Sequence, residues 1–181
     1  YHQGLALKNQ GDIDAAIKKI KRATEIDPNH GQAWASLGHL YRKKGDLEQA
    51  ADAYEQASTI LVEDADVVSN LGMVYYRLGR YQDALASLRQ ACRLNPKDAN
   101  IRANLGTIQR KLGNSKEAIR QLRWAHYYLH EDANILNNLG VAFRTGDQLD
   151  KAVKAFRMEI QQDDEQAQYH FNLGAAYRHQ R

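Results

Sequence analysis

A chain of 181 residues with 25 Lys+Arg against 22 Asp+Glu, a formal net charge of +3 and 43% hydrophobic residues fits one soluble globular or repeat unit. No apolar stretch approaches the roughly 18 residues a membrane-spanning helix needs, and so small a net charge is no nucleic-acid footprint unless the positive residues gather on one face. Two prolines and twelve glycines among many Ala, Leu, Lys, Glu and Gln argue against a loop-rich all-β protein and for helices joined by short connections.

Taken in chain order, residues 1–30 read as an incomplete repeat, four full copies follow at 31–64, 65–98, 99–132 and 133–166, and a half copy closes the chain at 167–181. The register is set by a dipeptide recurring every 34 residues: Leu37-Gly38, Leu71-Gly72, Leu105-Gly106, Leu139-Gly140 and Leu173-Gly174. Ala16, Ala50, Ala84, Ala118 and Ala152 keep the same period, as do the bulky residues Ile20, Tyr54, Leu88, Leu122 and Phe156. Because the chain opens at Tyr1, inside a repeat, it reads as a fragment of a longer protein.

Each copy predicts two helices. In the copy at 31–64, Trp34, Leu37 and Tyr41 are spaced three then four apart, which places them with Gly38 on one face of a first helix. Gly45 ends that helix in left-handed geometry, as Gly11, Gly79 and Gly113 do in their copies; in the fifth copy the glycine comes one residue early, at Gly146. The second helix is predicted from Leu47 to Thr59, with Ala50, Tyr54 and Ala57 facing inward. A glycine inside a helix costs about 1 kcal/mol relative to Ala. Its recurrence as Gly38, Gly72, Gly106, Gly140 and Gly174 therefore predicts close approach of a neighbouring helix, with the alanines of the Ala50 series opposite.

These residues resemble the tetratricopeptide repeat: an aromatic at Trp34, Leu-Gly three residues on, a second aromatic at Tyr41, Tyr75, Phe143 and Tyr177, the Ala50 series with a second alanine at Ala23, Ala57, Ala91 and Ala125 that Glu159 replaces in the fifth copy, and Pro28 and Pro96 near the repeat ends. The match extends over the whole chain as a single domain. Departures are local: Val68, Arg102 and Leu136 replace the first aromatic, Gln109 the second, and Val62, His130 and Asp164 the proline. The resemblance implies an all-α fold of antiparallel helix pairs stacked into a right-handed superhelix, with first helices lining a concave groove and second helices forming the back. It also implies a protein-interaction role, with no cofactor.

At about 100° per residue, the position just before Leu-Gly points away from the packed face. It is occupied by Ser36, Asn70, Asn104, Asn138 and Asn172. Asn is a mediocre helix former, so the repetition reads as a ladder, although a solvated polar face is the plainer alternative. An amide both donates and accepts, and so can pair with the C=O and N–H of an extended peptide without reading its side chains. With first helices roughly 10 Å apart and peptide advancing about 3.3–3.6 Å per residue, each asparagine would meet about every third residue. The pattern is similar to the ladder in the tetratricopeptide superhelices of O-GlcNAc transferases, which hold protein substrates.

A basic row runs beside it: Lys8, Arg42, Arg110, Arg144 and Arg178, interrupted by Tyr76, with Lys43, Arg77, Lys111 and His179 one residue further on. Such charges complement helix dipoles at about 0.3–1 kcal/mol each. As a functional row they favour acidic peptides, phosphopeptides or a terminal carboxylate. The expected partner is thus a protein or peptide in extended conformation. A self-associating scaffold and the substrate-recruiting region of a larger enzyme, such as a glycosyltransferase, are the alternatives. Nucleic acid is disfavoured, since Tyr76 alone is no stacking platform.

The remaining constellations predict little chemistry. His126 and His130, four apart, are two ligands with no third at metal spacing, so no metal is expected. Trp124, Tyr127 and Tyr128 form an aromatic group expected to pack beneath the fifth repeat; left exposed, it would mark a partner site on the back of the stack. Asp163, Asp164 and Glu165 suit the N-terminus of the last helix. Cys92 reads as a buried small residue rather than a nucleophile and leaves the compartment open, with a lean towards a reducing, cytoplasmic one. With no phosphate-binding glycine loop, carboxylate pair or nucleophile elbow, the chain reads as a non-enzyme.

Overall fold

Helix follows helix throughout the computed structural model, which describes residues 1–130, 132–162 and 167–179. The described residues contain eleven α-helices and no strand. In a first compact unit, Tyr1–Asn95, lie α1 (His2–Asn9), α2 (Ile13–Ile26), α3 (Gly31–Lys44), α4 (Leu47–Ile60), α5 (Ala65–Arg77) and α6 (Tyr81–Leu94). The second unit, Pro96–Arg181, holds α7 (Ala99–Lys111), α8 (Ser115–Tyr128), α9 (Ala133–Thr145), α10 (Leu149–Gln162) and α11 (Ala167–His179). Odd-numbered helices are the first helices of the repeats and even-numbered ones the second, packed as antiparallel pairs. The second helix expected at Leu47 to Thr59 is found one residue longer. The acidic run at 163–165 and the side chain of His179 lie outside the described residues.

Both ends of the first helices are built by the repeat. Asp64, Asp98 and Asp132, again 34 apart, cap α5, α7 and α9 by accepting hydrogen bonds from backbone N–H groups of the first turn. At the other end, a backbone N–H returns to a carbonyl five residues earlier in the first five copies: Asp12 to Leu7, Asp46 to Tyr41, Arg80 to Tyr75, Asn114 to Gln109 and Gln148 to Phe143. This closure needs a left-handed residue, supplied by Gly11, Gly45, Gly79 and Gly113 with φ between 77° and 96°.

The fifth copy corrects the sequence expectation. Gly146 has φ −94°, and Asp147 takes the left-handed position with φ 61°. Packing fixes where the helix must end, so the residue in register adopts the strained conformation even with a glycine next door. Left-handed geometry costs an L-residue about 1–2 kcal/mol, less for Asp, and an added glycine returns part of that as unfolded-chain entropy. Asp147→Gly is accordingly expected to stabilise by about 0.5–1 kcal/mol, raising Tm by about 2–4 °C per kcal/mol. A thermal melt showing no rise would mean that the Asp147 side chain stabilises the turn.

Inside the complete pairs, the glycine of the first helix faces the bulky residue of the second, not the alanine, whereas at Gly174 of α11 the expected close approach is not found and an added Cβ would meet nothing within 4 Å. A Cβ built on Gly38 would lie 2.8 Å from the Tyr54 ring, on Gly72 2.9 Å from Leu88 Cγ, on Gly106 2.6 Å from Leu122 Cγ, and on Gly140 2.5 Å from the Phe156 ring. Ala118 meets Gly106 only through its backbone carbonyl. Burying each large partner fully contributes about 1.5–3 kcal/mol, which offsets the propensity cost of the glycine. Leu122, Leu139, Phe143 and Phe156 are among the bulky members of the second unit's core, and Ile20, Leu37 and Leu40 among those of the first unit's.

The departures from the repeat pattern have local explanations. Val68 and Leu136 are 2% and 1% exposed, so in their copies the first aromatic position is core, while Trp34 itself is only half-buried. Arg102 instead imitates Trp34: the indole N–H of Trp34 donates to the Pro28 carbonyl at 2.9 Å, and Arg102 Nε donates to the Pro96 carbonyl at 2.8 Å. Gln109, buried at the second aromatic position, accepts a hydrogen bond from Asn114 Nδ2 at 2.9 Å and ties down the turn.

Candidate peptide-binding face

Asn70 on α5 and Asn104 on α7 are half-buried, and neither amide has a hydrogen-bond partner among the described residues. Each sits one residue before a buried Leu-Gly, which turns it off the packed face but leaves it flanked by side chains of its own unit. Half-burial makes an unused amide costly and a bound peptide's backbone a favourable partner. Ser36, the corresponding residue of α3, is hydrogen-bonded to the Tyr1 hydroxyl at 3.2 Å.

Asn138 and Asn172 are engaged differently. Arg110 Nε donates to Asn138 Oδ1 at 3.1 Å, and Asn138 Nδ2 donates to the Asn134 carbonyl at 2.9 Å. Asn172 is only 5% exposed, and its Nδ2 donates to Asn137 Oδ1 at 2.7 Å. The two rows that the sequence separates therefore touch within the second unit: an arginine near the end of α7 reaches the asparagine of α9.

The basic residues differ in exposure. Lys43, Arg77, Lys111 and Arg178 are exposed, while Lys8, Arg42, Arg110 and Arg144 are half-buried. Arg22, Lys44, Arg80 and Arg120, which form ion pairs, all lie outside this row. Lys8, Arg42, Lys43, Arg77, Lys111, Arg144 and Arg178 have no carboxylate partner among the described residues. Arg42 lies beside the Tyr54 hydroxyl, although neither its Nε nor that hydroxyl completes a hydrogen bond of good geometry. Burial pushes the Tyr54 phenol up, with the Arg42 charge acting in the opposite direction.

The aromatic group on α8 does not pack beneath the fifth repeat. Tyr127 and Tyr128 are 77% and 57% exposed, and the rings run as a sequence, Tyr127 to Tyr128 at 4.9 Å and Tyr128 to Trp124 at 4.5 Å between centroids. Trp124 is half-buried because the Arg102 guanidinium stacks 4.3 Å from its centroid. Nearby His126 is held below the usual imidazole range, first by burial and then by His130. No group of three or more His, Cys, Asp or Glu side chains gathers at metal-binding distance among the described residues. Cys92 is half-buried rather than buried.

Sequence reading missed the role of Arg102, whose signal was its place six residues after a proline, as Trp34 stands after Pro28. It also missed the capping aspartates, whose signal was their 34-residue spacing.

The chain belongs to the family of the cilia and flagella-associated protein 70 C-terminal domain, a tetratricopeptide domain whose family model matches residues 2–131. No curated protein sequence matches it significantly. Among solved structures it is similar to a tetratricopeptide repeat protein from Parabacteroides merdae ATCC 43184, with TM-score 0.85 at 17% identity over 97% of this chain and 70% of that one. YrrB, described as a tetratricopeptide protein with an unusual peptide-binding site, gives TM-score 0.83 at 23% identity over 97% and 88% of the two chains. MamA from Desulfovibrio magneticus RS-1 gives 0.78 at 21% identity over 83% and 85%. The fold is the tetratricopeptide solenoid, the architecture of a protein-interaction scaffold.

Proposed function

We propose that the chain is a non-catalytic scaffold that holds an extended, acidic peptide segment in the groove lined by its first helices. The observation that carries this reading is made in each unit separately: a half-buried, unpartnered amide, Asn70 on α5 of the first and Asn104 on α7 of the second, each on a first helix that also bears a cation without an acidic partner, Arg77 or Lys111. The amides are suited to peptide backbone, and the arginines and lysines to its carboxylates through charge-assisted hydrogen bonds. The peptide-binding site described for YrrB, a protein of the same fold, supports the assignment.

Salt separates the two contributions. Exposed charges act over about 30 Å at 0.01 M salt but only about 8 Å at 0.15 M. Affinity for an Asp- and Glu-rich peptide, measured by calorimetry, is expected to fall at least tenfold between those concentrations, while a neutral extended peptide changes little. Arg144→Glu should weaken the acidic peptide further. That residue is the cleaner choice because Arg110→Glu would also break the bond to Asn138. Equal, salt-independent affinities for both peptides would return the basic residues to their role at helix ends and overturn the acidic specificity.

A further inference from the structure

Positive charge is concentrated where α1 and α3 of the first unit end, and the acids there, Asp14 and Asp46, are taken by Lys44 at 2.8 and 3.8 Å. His39, Arg42 and Lys43 lie three and four residues apart on one face of α3. Lys8 of α1 acts on the same imidazole, and from α5 Arg77 Nη1 donates to the Arg42 carbonyl at 3.5 Å. The cations of this unit that form ion pairs are Arg22, Arg80 and Lys44 at the α3 end, so Lys8, Arg42 and Lys43 keep no carboxylate partner among the described residues. Arg42 Nε is shielded from solvent with no hydrogen bond completed.

The chemistry of the cluster is all donor. A guanidinium has no acceptor, so in the 3.5 Å contact between Arg42 Nη2 and His39 Nδ1 the arginine donates and Nδ1 accepts. The neutral ring then carries its hydrogen on Nε2. Burial, followed by the charges of Arg42, Lys8 and Lys43, holds His39 below the usual imidazole range, so the ring adds an N–H donor without adding a fifth positive charge at neutral pH. Two ammonium groups, the guanidinium N–H groups that His39 leaves unused and an imidazole N–H in one electrostatic neighbourhood suit an anion with several acceptor oxygens and more than one negative charge. A single carboxylate would leave most of the charge unbalanced, whereas a phosphoryl group brings about −1.5 to −2 charges and three acceptor oxygens.

We propose that Lys8, His39, Arg42 and Lys43 form a binding site for a phosphoryl dianion, either free phosphate or the phosphate of a phosphorylated residue. The peptide-borne source rests on the groove reading above; the anion site does not.

The imidazole at its centre reports occupancy. The midpoint of the His39 titration can be followed by NMR with chloride, inorganic phosphate or N-acetyl-O-phosphoserine amide at matched ionic strength. Bound phosphoryl charge should raise it towards or past the ordinary value of about 6.5. A larger shift with the phosphoserine amide than with phosphate identifies the peptide-borne source, and equal shifts identify free phosphate. In the Lys8→Ala/Lys43→Ala variant the chloride midpoint should itself rise, because two repelling charges are gone, and the phosphate-induced shift should disappear. Neither lysine has a hydrogen-bond or ion-pair partner among the described residues, so the variant should melt like the parent. The proposal is overturned if no phosphoryl probe moves His39 beyond chloride, or if the shift survives in the double variant. Since the peptide test above uses unphosphorylated peptides, the groove and the anion site can fail independently.

Discussion

Gly106→Leu is expected to destabilise the second unit by about 3 kcal/mol or more, the upper end of the usual 1–3 kcal/mol for overpacking. The first added carbon would lie 2.6 Å from Leu122 Cγ and 3.3 Å from the Ala118 carbonyl, and Leu122 is itself fully buried. With natural stabilities of about 5–15 kcal/mol and about 2–4 °C of Tm per kcal/mol, a Tm drop of roughly 6–12 °C should follow. Two controls separate the causes. Gly113→Ala, with φ 78° and nothing within 4 Å of an added Cβ, should cost about 1 kcal/mol through backbone conformation alone. Leu122→Ala combined with Gly106→Ala should cost less than the two substitutions summed, because each relieves the other. If Gly106→Leu melts like the parent, helices α7 and α8 do not meet as described.

The repeat register was legible because one constraint, a glycine under a bulky partner, recurs at a fixed interval and leaves its mark on the sequence. The partner was less legible. Both the alanine and the bulky residue keep the period, and only the geometry of the helix pair shows that Leu122 rather than Ala118 supplies the side chain over Gly106. Gly146 misled for a different reason. Composition suggests where a left-handed residue would be cheapest, but packing decides where it is needed, and that is Asp147. Arg102 shows a conserved geometry met by a different residue type: a hydrogen bond to a proline carbonyl is kept while the aromatic ring moves to Trp124, on which the guanidinium stacks.

The candidate face was partly legible. Angular position marks Asn70, Asn104, Asn138 and Asn172 as lying off the packed side, but it does not reveal which amides the protein itself consumes. That depends on neighbours far away in sequence: Arg110 reaches Asn138 over 28 residues, and Asn137 reaches Asn172 over 35. The exposure of Tyr127 and Tyr128 is likewise a property of which side of α8 is covered in the stack.

Those internal bonds sharpen the test of the asparagine row. Replacing all four by Ala should abolish tight peptide binding, but Asn70→Ala with Asn104→Ala should account for most of the loss. Each of these amides can donate once and accept once to a peptide backbone, two hydrogen bonds at about 0.5–1.5 kcal/mol each, or roughly 1–3 kcal/mol per residue. A micromolar complex corresponds to about 8.2 kcal/mol, so the double variant should weaken it at least about 30-fold, the remainder being held by charge. Its Tm should stay level or rise slightly, because Ala is the better helix former and no intramolecular bond is lost. Asn172→Ala should show the opposite profile: a lower Tm from the lost bond to Asn137, with a smaller effect on the peptide. Calorimetric titration of one extended peptide against the three variants, with a melt of each, decides the matter. Binding unchanged in the Asn70 and Asn104 double variant would show that the half-buried amides are a solvated polar face, and that the peptide, if held at all, is held elsewhere.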